Sequence, residues 1–251
     1  MRLLLCNDDG VHSEGLRALE EALAPLGDIY VVAPDREQSA ASHAVTLQRP
    51  LRVEQLGPRR YAVDGTPTDC VLLAVNGLLR AERPDYVISG INRGYNLADD
   101  VTYSGTVSAA MEGTLLGIPS IAVSLGGRES FDFAAGAGFV AELLQSLFGW
   151  QVPKNTLLNV NLPPLPRGLI KGVQLTRQGQ RRYGDTIIEN VDPRGRKYYW
   201  IGGGEMDMTD DGEGTDVAAI ARDMISITPL HLDLTNYSSF DEFSRLRLDW
   251  R

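Results

Sequence analysis

An open α/β sheet, mostly parallel and covered by helices on both faces, is the fold class this sequence predicts. Three observations lead there. Short apolar runs of strand length alternate with helix-length amphipathic runs through the first 165 residues. The apolar runs are continuous rather than alternating, as strands buried on both faces require. Strand, helix and strand recur at the spacing of a right-handed parallel crossover unit.

The elements follow in order. "RLLLC" reads as a buried strand. "SEGLRALEEALAPLG" reads as a helix, capped by Ser13, with Leu16, Leu19 and Leu23 on one face and Pro25 and Gly27 stopping it. "DIYVVAP" is the second strand, "TPTDCVLLAVNGLL" a capped helix and "DYVISG" a strand. "SGTVSAAMEGTLLG" is a helix closed by Gly117, followed by the strand "IPSIAVSL", the helix "FDFAAGAGFVAELLQSLF" and the strand "TLLNVNLP". This open-sheet core is expected over residues 1–165.

From 166 to 251 the pattern changes to strand-like runs, "IKGVQLTRQG", "DTIIENV" and "RKYYWIGGG", joined by turn chemistry such as Asp192-Pro193-Arg194-Gly195. These predict β-hairpins. "MISITPLHLDLT" adds a further strand and "FDEFSRLRLDW" a short terminal helix. Hairpins without a sheet to join are marginal alone, so this region is expected to pack on the core or on another subunit.

A chain of 251 residues with 43% hydrophobic content can bury a large core. Its opening residues are too short and wrongly flanked for a secretory leader, and no run approaches the ~20 apolar residues of a membrane helix, which predicts a soluble cytoplasmic protein without membrane contact. Cys6 and Cys70 lie in apolar surroundings and read as buried free thiols. The net charge of -9 and the lack of a Lys/Arg block exclude a groove that tracks a nucleic acid backbone. A small anion bound through a cation or a helix N-terminus remains compatible.

In an open parallel sheet, ligands bind beyond the carboxyl ends of the strands. After the first strand stand Asn7, Asp8 and Asp9, with Gly10 allowing the sharp turn. After the second come Asp35, Arg36, Gln38, Ser39 and Ser42. Asn92 and Asn96 follow "YVISG". Two adjacent carboxylates repel unless water or a cation relieves them, and with hydroxyl and amide oxygens they form an all-oxygen set suited to Mg²⁺, Mn²⁺ or Ca²⁺. His12, His43 and His231 are scattered, which argues against a histidine-rich zinc site. Ser104, Gly105 and Thr106 stand where a loop becomes a helix, so free N–H groups and the dipole make an anion seat. A cation beside an anion seat implies a bound phosphate and attack of a metal-activated water on phosphorus.

Each motif alone has a plainer local role. "SGT" could be a helix cap, "DDG" a turn, and Thr66, Thr68 and Asp69 in "GTPTDC" read as capping residues. His231 and Asp233 read as structural. Convergence on one rim is what favours the site.

Together, "NDDG", "VVAPDREQSAAS", "GTPTDC", "SGINRGYNLADDVTYSGTVSAAMEG" and "SITPLHLDLT" resemble the stationary-phase survival protein SurE family over nearly the whole chain. The resemblance implies a metal-dependent phosphatase of nucleoside monophosphates, chiefly a 5'-nucleotidase, with some action on 3'-nucleotides and polyphosphate. It also implies a Rossmann-like core and a C-terminal extension that mediates homodimers or homotetramers. By matching position it assigns one divalent cation to Asp8, Asp9, Ser39 and Asn92. It places Asn96, Ser104, Gly105 and Thr106 around the phosphate, with Ser42 a further substrate contact. Asp8 or Asp9 would orient the water or accept its proton, and Asn96 and Ser104 would stabilise the developing charge. No residue stands out as the acid for the leaving group. Where many members carry a glycine after the Asn96 segment, this chain has Ala98 before Asp99, and Tyr95 precedes Asn96, departures that bear on nucleotide preference rather than metal binding.

Two other classes fit less well. A response-regulator receiver shares the acidic pair but needs a phosphoacceptor Asp after its third strand and a Lys after its fifth, where "SGIN" and "VSLGG" stand here. A dinucleotide-binding module without turnover needs a Gly-rich first turn, which "NDDGVHSEG" replaces with acid.

Overall fold

The computed structural model describes residues 1–127, 131–180, 187–201 and 212–246. In chain order the first elements are β1 (Arg2–Cys6), α1 (Glu14–Leu23), β2 (Asp28–Pro34), β3 (Val53–Gly57), β4 (Arg60–Val63), α2 (Pro67–Leu73) and β5 (Tyr86–Arg93). There follow α3 (Gly105–Leu115), β6 (Ser120–Leu125), α4 (Phe133–Leu147), β7 (Thr156–Leu162) and β8 (Val173–Leu175). The rest comprises β9 (Ile187–Val191), β10 (Lys197–Ile201), α5 (Asp216–Ala221), β11 (Ile225–His231) and the short α6 (Phe240–Phe243). Residues 185–186, 202–204 and 247–250 of the runs read from the sequence lie outside the described residues.

Nine strands form one sheet in the order β3-β4-β2-β1-β5-β6-β7-β11-β8. The central strands are parallel, whereas β3 against β4 and β11 against β7 are antiparallel. The α/β class is therefore as expected. β1 alternates between two cores: Leu3 and Leu5 pack with Leu16, Leu19 and Leu23 of α1 and Ala137, Val140 and Leu144 of α4. Leu4 and Cys6 pack on the other face with Cys70 and Val71 of α2 and Ala109 of α3. Both cysteines are buried and free. Truncating any of these fully buried leucines to Ala would cost about 2–5 kcal/mol.

Three features depart from the sequence reading. The β3–β4 hairpin has no counterpart in it, because β3 is an exposed edge strand of mixed polarity with no apolar run to mark it. The helix read over "TPTDCVLLAVNGLL" is α-helical only to Leu73 and widens to a π-turn over Ala74–Leu78. The C-terminal strands do not all form hairpins: β8 and β11 are parallel to each other and extend the main sheet, while β9 and β10 pair as a separate antiparallel ribbon.

The sheet order places the site. From β1 the chain crosses to β2 on one side, and β5 joins β1 on the other. The crevice where the order reverses, beyond the carboxyl ends of β1 and β5, is the binding position of doubly wound folds.

Candidate functional site

A turn stabilised by its own side chains carries the two carboxylates. Asn7 Nδ2 donates to the Gly10 carbonyl (3.1 Å) and to Ser13 Oγ (2.6 Å), and Val11 N–H donates to the Pro34 carbonyl (2.8 Å). Ser13 caps α1 by accepting from Leu16 N–H. Gly10 has φ +99°, and a Cβ there would stand 3.2 Å from the Arg36 backbone, so the residue keeps the turn close to the loop after β2.

Asp8 is buried, and its Oδ1 accepts from the Thr106 hydroxyl on α3. Its carbonyl accepts from Gln38 N–H at 2.8 Å, which draws the Ser39 loop to the turn. Burial pushes the Asp8 carboxyl above the usual carboxylate range, against the lowering effect of the Thr106 bond. Asp9 is pushed up to about 6, by burial first and by the Asp8 charge second, although its Oδ2 accepts from Arg93 N–H at 3.3 Å. Among the described residues neither carboxylate forms an ion pair with a basic side chain.

Asp9, Ser39 and Asn92 line one cleft of about 560 Å³, together with His12, Ser13, Asp35, Arg36, Glu37 and Arg93. Asn92 owes its aim to a bulge. Ser89 faces Ala122 and Asn92 faces Ser124, so three steps on β5 match two on β6, and side chains beyond the extra residue change face. Asn92 Nδ2 donates to the Gly94 carbonyl at 3.0 Å, which leaves its amide oxygen as the end offered to a cation. Ser39 Oγ donates to Glu37 at 2.5 Å.

α3 begins behind Asp8. Ser104 is its N-cap, accepting from Val107 N–H at 3.1 Å, so the N–H groups of Gly105 and Thr106 have no intrahelical acceptor, and that of Thr106 is directed at the Asp8 carboxyl. A Cβ on Gly105 would lie 2.8 Å from Asp8 Cβ and 3.0 Å from its Oδ2, and only glycine allows the helix start this close to the carboxylate. Ser42, at φ +53°, donates from Oγ to the Thr102 carbonyl and from N–H to the Tyr103 carbonyl, binding the loop after β2 to the segment before α3. Asn96 is buried at the ends of β6 and β7. Its Nδ2 donates to Ser124 Oγ at 2.7 Å, its N–H donates to Asn161 Oδ1, and its carbonyl accepts from Asn159 Nδ2 and Asn161 Nδ2.

The donor chemistry fits a hard cation. No three His, Cys, Asp or Glu side chains cluster among the described residues, so a cation here would take carboxylates together with the neutral oxygens of Ser39 and Asn92.

Residues 3–185 match the family model described as Survival protein SurE. The chain belongs to the SurE family. It is 56% identical over 240 residues to the 5'-nucleotidase SurE of Geobacter sulfurreducens, covering 95% of this chain and 91% of that one. It is 53% identical over 251 residues to the 5'-nucleotidase SurE of Myxococcus xanthus, covering 99% and 94%. The crystal structure of the SurE protein from Aquifex aeolicus superposes with a TM-score of 0.88 at 46% identity, covering 97% of this chain and 98% of that one.

Several residues that build this SurE-family cleft do not stand out in the sequence. Asn159 and Asn161 occupy alternate positions of a buried strand, a pattern that signals a polar network under the rim. Asp216 accepts from Ala98 N–H (2.9 Å), Gly179 N–H (2.8 Å) and Val217 N–H (2.9 Å), tying the C-terminal region to the loop before α3. Ala98 itself has φ +49°, where an L side chain is disfavoured. Its carbonyl also accepts from Gln178 Nε2, so both its backbone groups are clamped. The departure noted at Ala98 therefore falls at a position whose backbone suits glycine. His231 and Asp233 have structural roles: His231 Nδ1 accepts from Asp233 N–H, and bonds from Thr235 and Tyr237 hold Asp233 down to about 2.

Proposed function

We propose that this protein is a divalent-metal-dependent 5'-nucleotidase that releases phosphate from nucleoside monophosphates. The observation that carries the reading is the convergence of Asp9, Ser39 and Asn92 on one cleft at the switch point, with Asp8 buried against the start of α3. The names of the SurE relatives from Geobacter and Myxococcus support the same activity.

In this reading Asp8, Asp9, Ser39 and Asn92 hold one Mg²⁺ or Mn²⁺ per subunit. Such a cation, when bound, polarises a phosphoryl oxygen and makes water a better nucleophile at neutral pH. The chain's own residues do the rest. Thr106 fixes the Asp8 carboxylate through its hydroxyl and its N–H, and the N–H of Gly105 at the helix start is the one offered to the phosphate. Ser104 terminates the seat, Ser42 holds the loop over it, and Asn96 braces the rim from below and stabilises charge on the equatorial oxygens. Asp8 or Asp9 orients the attacking water or takes its proton. 3'-Nucleotides and polyphosphate are secondary substrates.

The active form is a homodimer or homotetramer in the cytoplasm, built through the region after residue 165. The β9–β10 ribbon supports this. It lies outside the main sheet and exposes Ile187, Ile188, Tyr199, Trp200 and Ile201, more apolar surface than an isolated two-stranded ribbon keeps in water. Among the described residues no helix is long and apolar enough to cross a membrane.

The test is phosphate release from a panel of nucleoside 5'- and 3'-monophosphates with Mn²⁺, with Mg²⁺ and with chelator. Metal-dependent release, fastest for 5'-monophosphates, is the expected result. Release from none under any metal would overturn the enzyme reading in favour of nucleotide binding without turnover.

A further inference from the structure

Hydrolysis of a nucleoside monophosphate expels an alkoxide, a poor leaving group at neutral pH, so the reaction calls for a proton donor that the metal-binding carboxylates do not supply. We propose that His12 is that donor, a reading that rests on the phosphatase function above. The structure separates His12 from the chain's other two histidines. His43 is paired with Glu112 at 3.0 Å, and His231 accepts the Asp233 N–H. His12 is exposed, lines the same cleft as Asp9, Ser39 and Asn92, and forms no hydrogen bond or ion pair among the described residues.

Its backbone, by contrast, is pinned on both sides. Val11 donates to the Pro34 carbonyl and accepts from Arg60, while Ser13 donates to the Gly10 carbonyl at 3.0 Å and caps α1. A fixed Cα with an uncommitted ring suits a group that must reach substrate and exchange a proton. The other titratable groups facing the cleft are differently engaged. From the loop after β2, Asp35 stands 3.6 Å from Arg36, and Glu37 accepts from Ser39. From the end of β5, Arg93 is bonded to Glu14 at 2.9 Å and lies over the rings of Phe131 and Phe133. Guanidinium groups do not give up protons in this range. Imidazole is the side chain suited to proton exchange near neutrality.

The step balances without any added reagent. Water oxygen bonds to phosphorus as the P–O5' bond breaks, its electron pair staying on O5', and the His12 imidazolium proton moves to O5' to release the nucleoside. One proton of the attacking water remains on the released phosphate. The other passes to solvent, from which His12 is reprotonated.

The test compares wild type, His12→Gln and His12→Asn at saturating Mn²⁺ on a nucleoside 5'-monophosphate and on p-nitrophenyl phosphate, whose phenolate leaves without a proton. The expected result is a kcat lower by about 10²–10³-fold on the nucleotide and within about threefold of wild type on the aryl ester. The alkaline fall of the nucleotide kcat profile should also disappear, with Mn²⁺ affinity by calorimetry and Tm unchanged. Equal losses on both esters, or no loss on either, would overturn the assignment. A wild type inactive on both would instead overturn the phosphatase reading beneath it.

Discussion

Replacing Asp9 by Asn should stabilise the metal-free protein while abolishing its response to metal. Asp9 is held at about 6, against 3.8 for an unburied carboxyl, because burial and the Asp8 charge both oppose its ionisation. A displacement of that size corresponds to a ceiling of about 3 kcal/mol. Asp9 keeps some solvent contact, so ~1–2 kcal/mol is the expected effect. The sign follows from linkage. A carboxyl whose folded pKa is raised contributes stability that is complete below its unfolded value and is lost as pH rises through about 6. At pH 7.5 without metal the wild type therefore carries the full penalty, and the Asp9→Asn variant, neutral at this position throughout, carries none. The introduced amide also retains an oxygen to accept the Arg93 N–H. For a chain of this length the gain is about 2–8 °C in Tm. The assay is thermal unfolding of both proteins from pH 5 to 8, in chelator and in millimolar Mn²⁺. Wild type should gain about 3 kcal/mol at a hundredfold excess of metal over Kd, and the variant nearly nothing. A metal-free Asp9→Asn protein less stable than wild type at pH 7.5, or a wild type that gains stability in chelator between pH 5 and 8, would refute the reasoning.

Gly105→Ala places a Cβ 2.8 Å from Asp8 Cβ, so Mn²⁺ titration should show at least tenfold weaker binding, and unchanged affinity would show that the helix start can retreat freely. Thr106→Val keeps the shape but removes the hydroxyl bonded to the buried Asp8 carboxylate; urea unfolding with metal present should record a loss of about 1.5–3 kcal/mol. Deleting the β9–β10 ribbon, Ile187–Ile201, should shift the protein toward monomer in sedimentation velocity while far-UV dichroism of the main sheet persists, and an undiminished oligomer would place the interface elsewhere.

Most of the core is legible because its strands are buried on both faces and its helices on one. "RLLLC", "DIYVVAP" and "SIAVSL" are largely apolar, α1 repeats leucine at helical spacing, and Ser13, Thr66 and Ser104 are caps in the structure as in the sequence. The β3–β4 hairpin is not legible because an exposed edge strand need not be apolar. The path of β11 is not legible because a strand's partner and direction leave no local mark in its composition.

The candidate site divides along the same line. The sequence by itself determined which chemistry was available: two adjacent carboxylates, neutral oxygen donors and a helix start, each at the end of an element set by nearby residues. Only the tertiary structure decided how they combine. It buried Asp8 against Thr106, 98 positions away, turned Asn92 toward the cleft through a bulge, and left His12 without a partner among the described residues while committing His43 and His231. It also clamped Ala98 with Asp216, 118 positions on. Caps and periodicity act over a few residues and can be read along the chain, whereas desolvation, charge repulsion and close backbone approach depend on distances that exist only once the sheet has assembled.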